Sequence, residues 1–353
     1  PQTETDMTSR RSFLAGLALA GLPRVTWADV GSPKYLAAGK TAQGFVLHGI
    51  SEAGESLFQL PLPARGHAAC GHPTGALAVT FARRPGTYAF VIDCSSGKVL
   101  HQLAPPSGRQ FNGHGAFSAD GQLLMTSEVV AEGSAGRIGL WETNGFRRIG
   151  EWETGGIGPH DIKLLPDGRL VVANGGIQTD PSDRTKLNVG TMRPNLSILA
   201  DGRIDDQMEL APELWQNSIR HLALLPNKIA FAMQWEGDAT EPVPLLGIWT
   251  PGAAPVLSPA ESPLTLPMKG YAGSIAVAGD RIALTSAPGG VVVVFDSDAN
   301  PVTSHQRADI CGAATLGNRF ILTDGLGGLW RLDQELALLE KQAVAWDNHL
   351  IQI

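Results

Sequence analysis

The chain has 353 residues, 43% of them hydrophobic and 17% charged, with a formal net charge of −7. That apolar content can bury a large core, which excludes a wholly disordered chain, and the acidic balance excludes the basic footprint of a nucleic-acid binder. Forty-two glycines and 24 prolines call for many turns between short elements, so a helical bundle is excluded as well.

At the N-terminus, Ser9-Arg10-Arg11-Ser12-Phe13-Leu14 precedes an apolar stretch from Ala15 to Leu22. The pattern is similar to a twin-arginine export signal, with Arg10 and Arg11 as its paired arginines. Met7 reads as the start, Pro1 to Asp6 as a leader, and Thr26-Trp27-Ala28 as a small-x-small cleavage site. Residues 1–28 are therefore expected to be leader and signal, and residues 29–353 the mature protein. The apolar run is too short to span a bilayer, so no stable membrane anchor is expected. The expected destination is the bacterial periplasm, reached folded through the twin-arginine machinery. Three cysteines, Cys70, Cys94 and Cys311, form no C-x-x-C pattern. A Cys70–Cys94 disulfide stays open, with buried free thiols the simpler expectation.

From Arg65 onward one grammar repeats: a small residue or His, an apolar strand, a tight turn, a second apolar strand. It occurs as RGHAACGHPTGALAVTFARR from Arg65, NGHGAFSADGQLLMTSE from Asn112 and GPHDIKLLPDGRLVVANGG from Gly158. It returns as SIRHLALLPNKIAFAMQ from Ser218, YAGSIAVAGDRIALTSA from Tyr271 and ICGAATLGNRFILTDG from Ile310. The turns SADGQ, LPDGR, LPNK, AGDR and LGNR carry residues that tolerate positive φ, the chemistry of hairpins. Third strands follow at Tyr88, Gly136, Asn195, Pro244, Gly289 and Gly327, and polar fourth strands such as KVLHQLA after several of them. Four short strands recurring at intervals of roughly 40 to 60 residues predict the blades of a β-propeller. The C-terminal DNHLIQI matches a first strand, whereas KYLAAG, GFVLHGI and ESLFQLPLP near the N-terminus match strands two to four. The prediction is an all-β, seven-bladed β-propeller closed by a blade shared between the N- and C-termini. The polar segment Gln178 to Pro194 reads as a surface loop over one mouth of the ring.

Aligning the seven first strands puts His67, His114, His160, His221, Ser274, Gly312 and His349 at one leading position. Nine histidines spread over 353 residues would place fewer than one in any seven positions. First strands line a propeller's channel, so these five imidazoles are expected to meet on one axis, where neutral His is a good ligand for copper, iron or zinc. The competing reading is structural, with each ring serving a neighbouring backbone carbonyl. The ends of the second strands bring Arg83, Glu128, Asn174, Gln234 and Asp324 to the same end of the chain's repeats. These are expected at the channel mouth, supporting the imidazoles or a small polar ligand. Glu128, Asn174 and Asp324 would suit calcium, but the weight of imidazole speaks against an ion that takes oxygen ligands.

The twin-arginine start, GHGAFSADG at Gly113, GPHDIKLLPDG, the ANGGI…KLN…TMRPNL loop, SIRHLA and YAGSIA together resemble the bacterial family called domain of unknown function 1513. The resemblance covers the mature chain and includes the long third-blade loop and the terminal NHL. It implies a periplasmic propeller, often encoded beside imelysin-like and dihaem peroxidase-like proteins, and so a place near iron or copper handling. It carries over no catalytic residue. Three functions stay open: transition-metal binding for uptake or handling, a metal-dependent oxidoreductase or hydrolase at the channel mouth, and an interaction scaffold with structural histidines.

Overall fold

The computed structural model describes residues 33–353; Arg10 and Arg11 of the expected export signal and the expected cleavage site at Ala28 lie outside the described residues. Twenty-eight strands form seven four-stranded antiparallel sheets, the blades of a β-propeller. Helix among the described residues is limited to three single 3-10 turns, the longest reading only three residues. The inner strands, in chain order, are Gly66–Gly71, Arg109–Phe117, Pro159–Leu164, Asn217–Leu225, Ser274–Ala278, Ile310–Leu316 and Ala345–Gln352. These open blades 1 to 7. Each inner strand packs on the next, and that of blade 7 on that of blade 1, which closes the ring.

Hairpin chemistry sets the local structure. Asn227 in LPNK takes φ 57°, the left-handed conformation the turn requires and a side chain that tolerates it. The middle strands are buried on both faces, as in Val291–Phe295, and read as unbroken apolar runs. Outer strands such as Lys98–Leu103 are exposed along most of their length and mix polar with apolar residues.

The core lies between blades, not within one sheet pair. Seven apolar clusters fill the seven interfaces between neighbours, for example Phe81, Phe111 and Trp141 between blades 1 and 2. Leu36, Leu47, Ala78 and Phe90 join blade 7 to blade 1. No blade could bury both its faces alone, so ring closure is what completes the core. The three cysteines are free and buried within these interfaces.

Closure is achieved by strand exchange between the ends of the chain. Tyr35 pairs with Gln352, Leu36 with Ile351 and Ala37 with Leu350, giving blade 7 the order C-terminal strand first and three N-terminal strands outside it. This pairing removes two sheet edges that would otherwise lie open. Deleting residues 347–353 should expose the Tyr35–Thr41 edge and both flanking interfaces. The expected outcome is loss of a single cooperative melt, with aggregation, read by calorimetry and light scattering.

Candidate metal centre

The five register histidines sit on inner strands of blades 1, 2, 3, 4 and 7, and all are buried. Local backbone irregularity aims them. In blade 1 the pairing jumps from Gly66–Ala82 to Ala69–Thr80, so His67 lies in a β-bulge. Equivalent bulges fall at His114 between Phe111 and Gly115, at His160 between Pro159 and Ile162, and beside His221 between Ile219 and its own pair with Ala232. In blade 7 the jump between Ala37 and Gly39 encloses His349. A bulge bends its strand and redirects a side chain that the regular pleat would turn elsewhere. Blade 5, which carries Ser274 at this position, pairs regularly from end to end. Blade 6 bulges, but a Cβ at Gly312 would collide with the Thr323 hydroxyl, so no imidazole fits there.

The result is a layer of imidazoles across the channel. The ring of His67 is 4.4 Å from that of His349 and 5.0 Å from His114; His114 is 4.8 Å from His160 and 4.9 Å from His349. One nitrogen from each of His67, His114, His160 and His349 lies within 4.8 Å of the others. The Nε2 atoms of His349 and His67 are 3.3 Å apart. His221 is placed one step outside this foursome: its ring is 4.8 Å from those of His160 and His349 but 5.9 Å from His114. Nδ1 of His67, His160 and His221 and Nε2 of His114 have no hydrogen-bond partner. Buried polar nitrogens left unpaired are costly.

A carboxylate stands behind the layer. Asp161 Oδ1 lies 3.1 Å from His114 Nδ1, which fixes the other nitrogen, Nε2, as the atom free to face the centre. Asp161 also accepts the backbone N–H groups of Ile162 and Leu222 and lies 3.4 Å from Lys163. Burial opposes its ionisation, but Lys163, His114 and these donors outweigh it and hold the carboxyl well below its ordinary range. The histidines move the same way for a different reason. Burial first, then the neighbouring imidazoles, pushes His67, His160 and His349 well below 6.5 and His221 down to about 3. These four rings are neutral at ordinary pH. Gly113 makes the layer possible: its φ is +98°, and a Cβ there would overlap the His67 ring.

The five residues expected at the mouth divide. Arg83 and Gln234 line a cavity of about 220 Å³ on one side of the layer. Glu128, Asn174 and Asp324 do not reach it. Glu128 accepts hydrogen bonds from Arg148 (2.6 Å) and Thr126 (2.7 Å) inside blade 2. Asn174 donates to Thr154, Asn195 and Ser197, and Asp324 accepts from Arg307, Trp330, Leu326 and Gly328. The reason is the pleat. Glu128, Asn174 and Asp324 pair directly with Phe111, Pro159 and Ile310, the residues that precede the bulges. Arg83 and Gln234 lie one residue beyond the corresponding positions, Ala82 and Met233, and so face the other way.

That cavity is a cationic vestibule whose floor is His67, His160 and His221. Its walls carry Arg83, Arg84, Arg184, Lys186 and Arg220 against one carboxylate, Glu236. Arg184 and Lys186 come from the long third-blade loop, which does cover this mouth. Sequence patterning missed Arg220, Asp161 and Asn348, although each directly flanks a register histidine. On the opposite side of the layer a cavity of about 310 Å³ has a mixed lining, with aliphatic groups such as Ile275, Val277 and Leu350 beside Asp161, Lys163 and Thr315.

Two outcomes are expected of the metal-free protein. The unfolded chain takes up protons below about pH 6.5 while folded His67, His160, His221 and His349 do not, so stability should fall as pH drops from 7 toward 4. Each such histidine contributes a slope of up to about 1.4 kcal/mol per pH unit; a flat urea-denaturation series across that window would contradict the buried neutral layer. Gly113→Ala should cost about 1–3 kcal/mol, from strained φ and the collision with His67, read as a lower denaturation midpoint.

No curated protein matches the chain by sequence. Solved structures share its fold at low identity. A chain of the Kuenenia stuttgartiensis hydrazine synthase matches with TM-score 0.60 and 13% identity, covering 92% of this chain and 100% of that one. BamB from Moraxella catarrhalis matches at 0.53 and 11%, covering 87% and 84%. U3-55K matches at 0.57 and 13%, covering 80% and 83%. At such identities the likeness is one of fold alone. The family model described as "Protein of unknown function (DUF1513)" matches residues 60–353, which span all seven inner strands and every histidine of the layer, and the chain belongs to that family.

Proposed function

We propose that the imidazole layer binds one first-row transition-metal ion, and that the protein is a periplasmic metal-handling propeller exported through the twin-arginine pathway. The observation that carries this reading is the foursome of buried imidazole nitrogens within 4.8 Å of one another. Metal–imidazole bonds of 2.0–2.1 Å place tetrahedral donors ~3.3 Å apart, which is the His67–His349 separation. Modest closing of the remaining rings would complete the shell. An all-imidazole set suits copper or iron, with zinc as a further candidate, and disfavours calcium and magnesium. Asp161 behind His114 supplies the carboxylate–histidine support common at metal centres.

Four imidazoles fill a tetrahedral shell and leave no open position for substrate, which favours holding or delivering the ion over catalysis. The resemblance to propellers encoded beside imelysin-like and dihaem peroxidase-like proteins suggests iron or copper uptake as the setting. Those periplasmic proteins are the proposed partners.

Calorimetric titration of untagged, metal-free protein with copper(II), zinc and iron(II) tests the proposal. One ion per chain is expected. His114→Ala and His160→Ala should each weaken binding by at least about 100-fold, and Asp161→Asn by ~10–100-fold. His221→Ala should cost less than either, and His72→Ala and His305→Ala, just past the inner strand of blade 1 and on the outer strand of blade 5, nothing measurable. Absence of binding, or equal losses in all the histidine variants, would overturn the reading.

A further inference from the structure

The vestibule above the imidazole layer has its own chemistry, independent of any metal. Four separate segments converge on it: Arg83 and Arg84 after the second strand of blade 1, Arg184 and Lys186 in the third-blade loop, Arg220 on the inner strand of blade 4, and Asn348 on that of blade 7. Glu236 is the single carboxylate of the wall, and it is already contacted by Lys186 and lies 3.7 Å from Arg220. Asp347 lies 3.8 Å from Arg83 but is also held by Arg65. Arg84 and Arg184 have no ion-pair partner among the described residues.

Arg220 is the most telling of these groups. It is 5% exposed, lines the cavity, and its Nε has no hydrogen-bond partner. A guanidinium buried with a free donor is an expensive feature unless something supplies the acceptor. Tyr271 adds a second free donor: its hydroxyl accepts from Asn348 Nδ2 at 3.0 Å, leaving its own proton to be given to a ligand. Burial, then repulsion from Arg220, Arg184 and Arg83, lowers Arg84 to about 9, a sign that the cluster is short of negative charge.

We propose that this vestibule is a binding site for a small, multiply charged oxyanion, a polycarboxylate or phosphate, held by Arg84, Arg184 and Arg220 with Tyr271 as a further donor. Planar guanidinium groups match the paired oxygens of carboxylate and phosphate. The cavity, about 220 Å³, suits a molecule of a few carbons, and its wall has one aromatic ring and little apolar surface for anything larger. The anion site stands on these residues alone. Where it meets the metal reading, it deepens it: a divalent ion held by neutral imidazoles would leave its charge uncompensated beside five cations, and an anion in the vestibule would neutralise both.

The test is calorimetric titration of metal-free, full-length protein at low ionic strength with citrate, malonate and inorganic phosphate, with glycerol as the neutral control. Saturable binding of at least one anion at one per chain is expected, and the ranking of carboxylates against phosphate identifies the source. Arg184→Gln, on an exposed loop where folding is not at stake, should weaken binding roughly 3–10-fold, and Arg84→Gln or Arg220→Gln more than ~10-fold. Arg169→Gln, which removes a half-buried arginine paired with Asp167 and Asp205 on the blade 3 turn, should change nothing. No binding of any of the three anions, or losses no larger in Arg84→Gln and Arg184→Gln than in Arg169→Gln, overturns the proposal. Repeating the titration after zinc loading separates the two readings. Tighter anion binding supports both, whereas anion binding that ignores zinc supports the anion site and counts against a metal in the layer.

Discussion

Ring closure is the constraint from which the rest of the molecule follows. Each blade has an apolar face on either side, and each of the seven core clusters is assembled from two neighbouring blades. A missing blade would leave two faces and two edges in water, so the inner strands are held around one axis. Positions that share a register must then share a height in the channel. The five histidines are brought together by closure, since blades 1 and 7 contribute residues 282 positions apart to one contact between His67 and His349. The same geometry buries the layer, and burial opposes protonation of rings such as His67 and His349.

The bulges turn this convergence into a site. A regular pleat sends consecutive side chains to opposite faces, and a strand edge facing a narrow channel could offer only alternate residues to it. By inserting extra residues at the start of the inner strands, the fold lets adjacent residues do separate work. His160 joins the layer while Asp161, its neighbour, reaches His114 of blade 2 and the backbone of Leu222 in blade 4. His221 faces the layer while Arg220 lines the vestibule. In blade 7, Asp347, Asn348 and His349 meet respectively Arg65, Tyr271 and His67. One backbone device thus builds the imidazole layer, its carboxylate support and the cationic wall.

Much of this was legible in the sequence because a propeller writes its architecture as repetition. Six copies of a hairpin grammar gave the blades, the terminal DNHLIQI and the N-terminal strands gave the shared one, and a common leading position gave the histidines. What repetition cannot express is a one-residue offset. Glu128, Asn174 and Asp324 look equivalent to Arg83 and Gln234 at the ends of second strands, yet the register puts them on the other side of the pleat. There they serve as buried acceptors and donors that tie strands together: Asp324 gathers four donors, one of them the Trp330 indole. Asp161 was invisible for a related reason, since its partner His114 lies on another blade. The vestibule was harder still, because its arginines come from two blades and a loop and form no motif in the chain.

The two sides of the imidazole layer differ in a way that bears on how an ion could reach it. From the loop side a bare cation would approach through Arg83, Arg84, Arg184, Lys186 and Arg220, and would be repelled at every step before it met a nitrogen. From the other side it would cross a wall of mixed aliphatic and polar groups, where Lys163, 3.4 Å from Asp161, offsets the pull of that carboxylate. An ion that travels with its own anion meets neither obstacle on the loop side. The guanidinium groups would take the oxyanion and the imidazoles the metal, each partner lowering the cost of placing the other. Under that reading the cationic mouth works as a selector for the charge state in which the ion arrives, and the neutral layer beneath it is the acceptor.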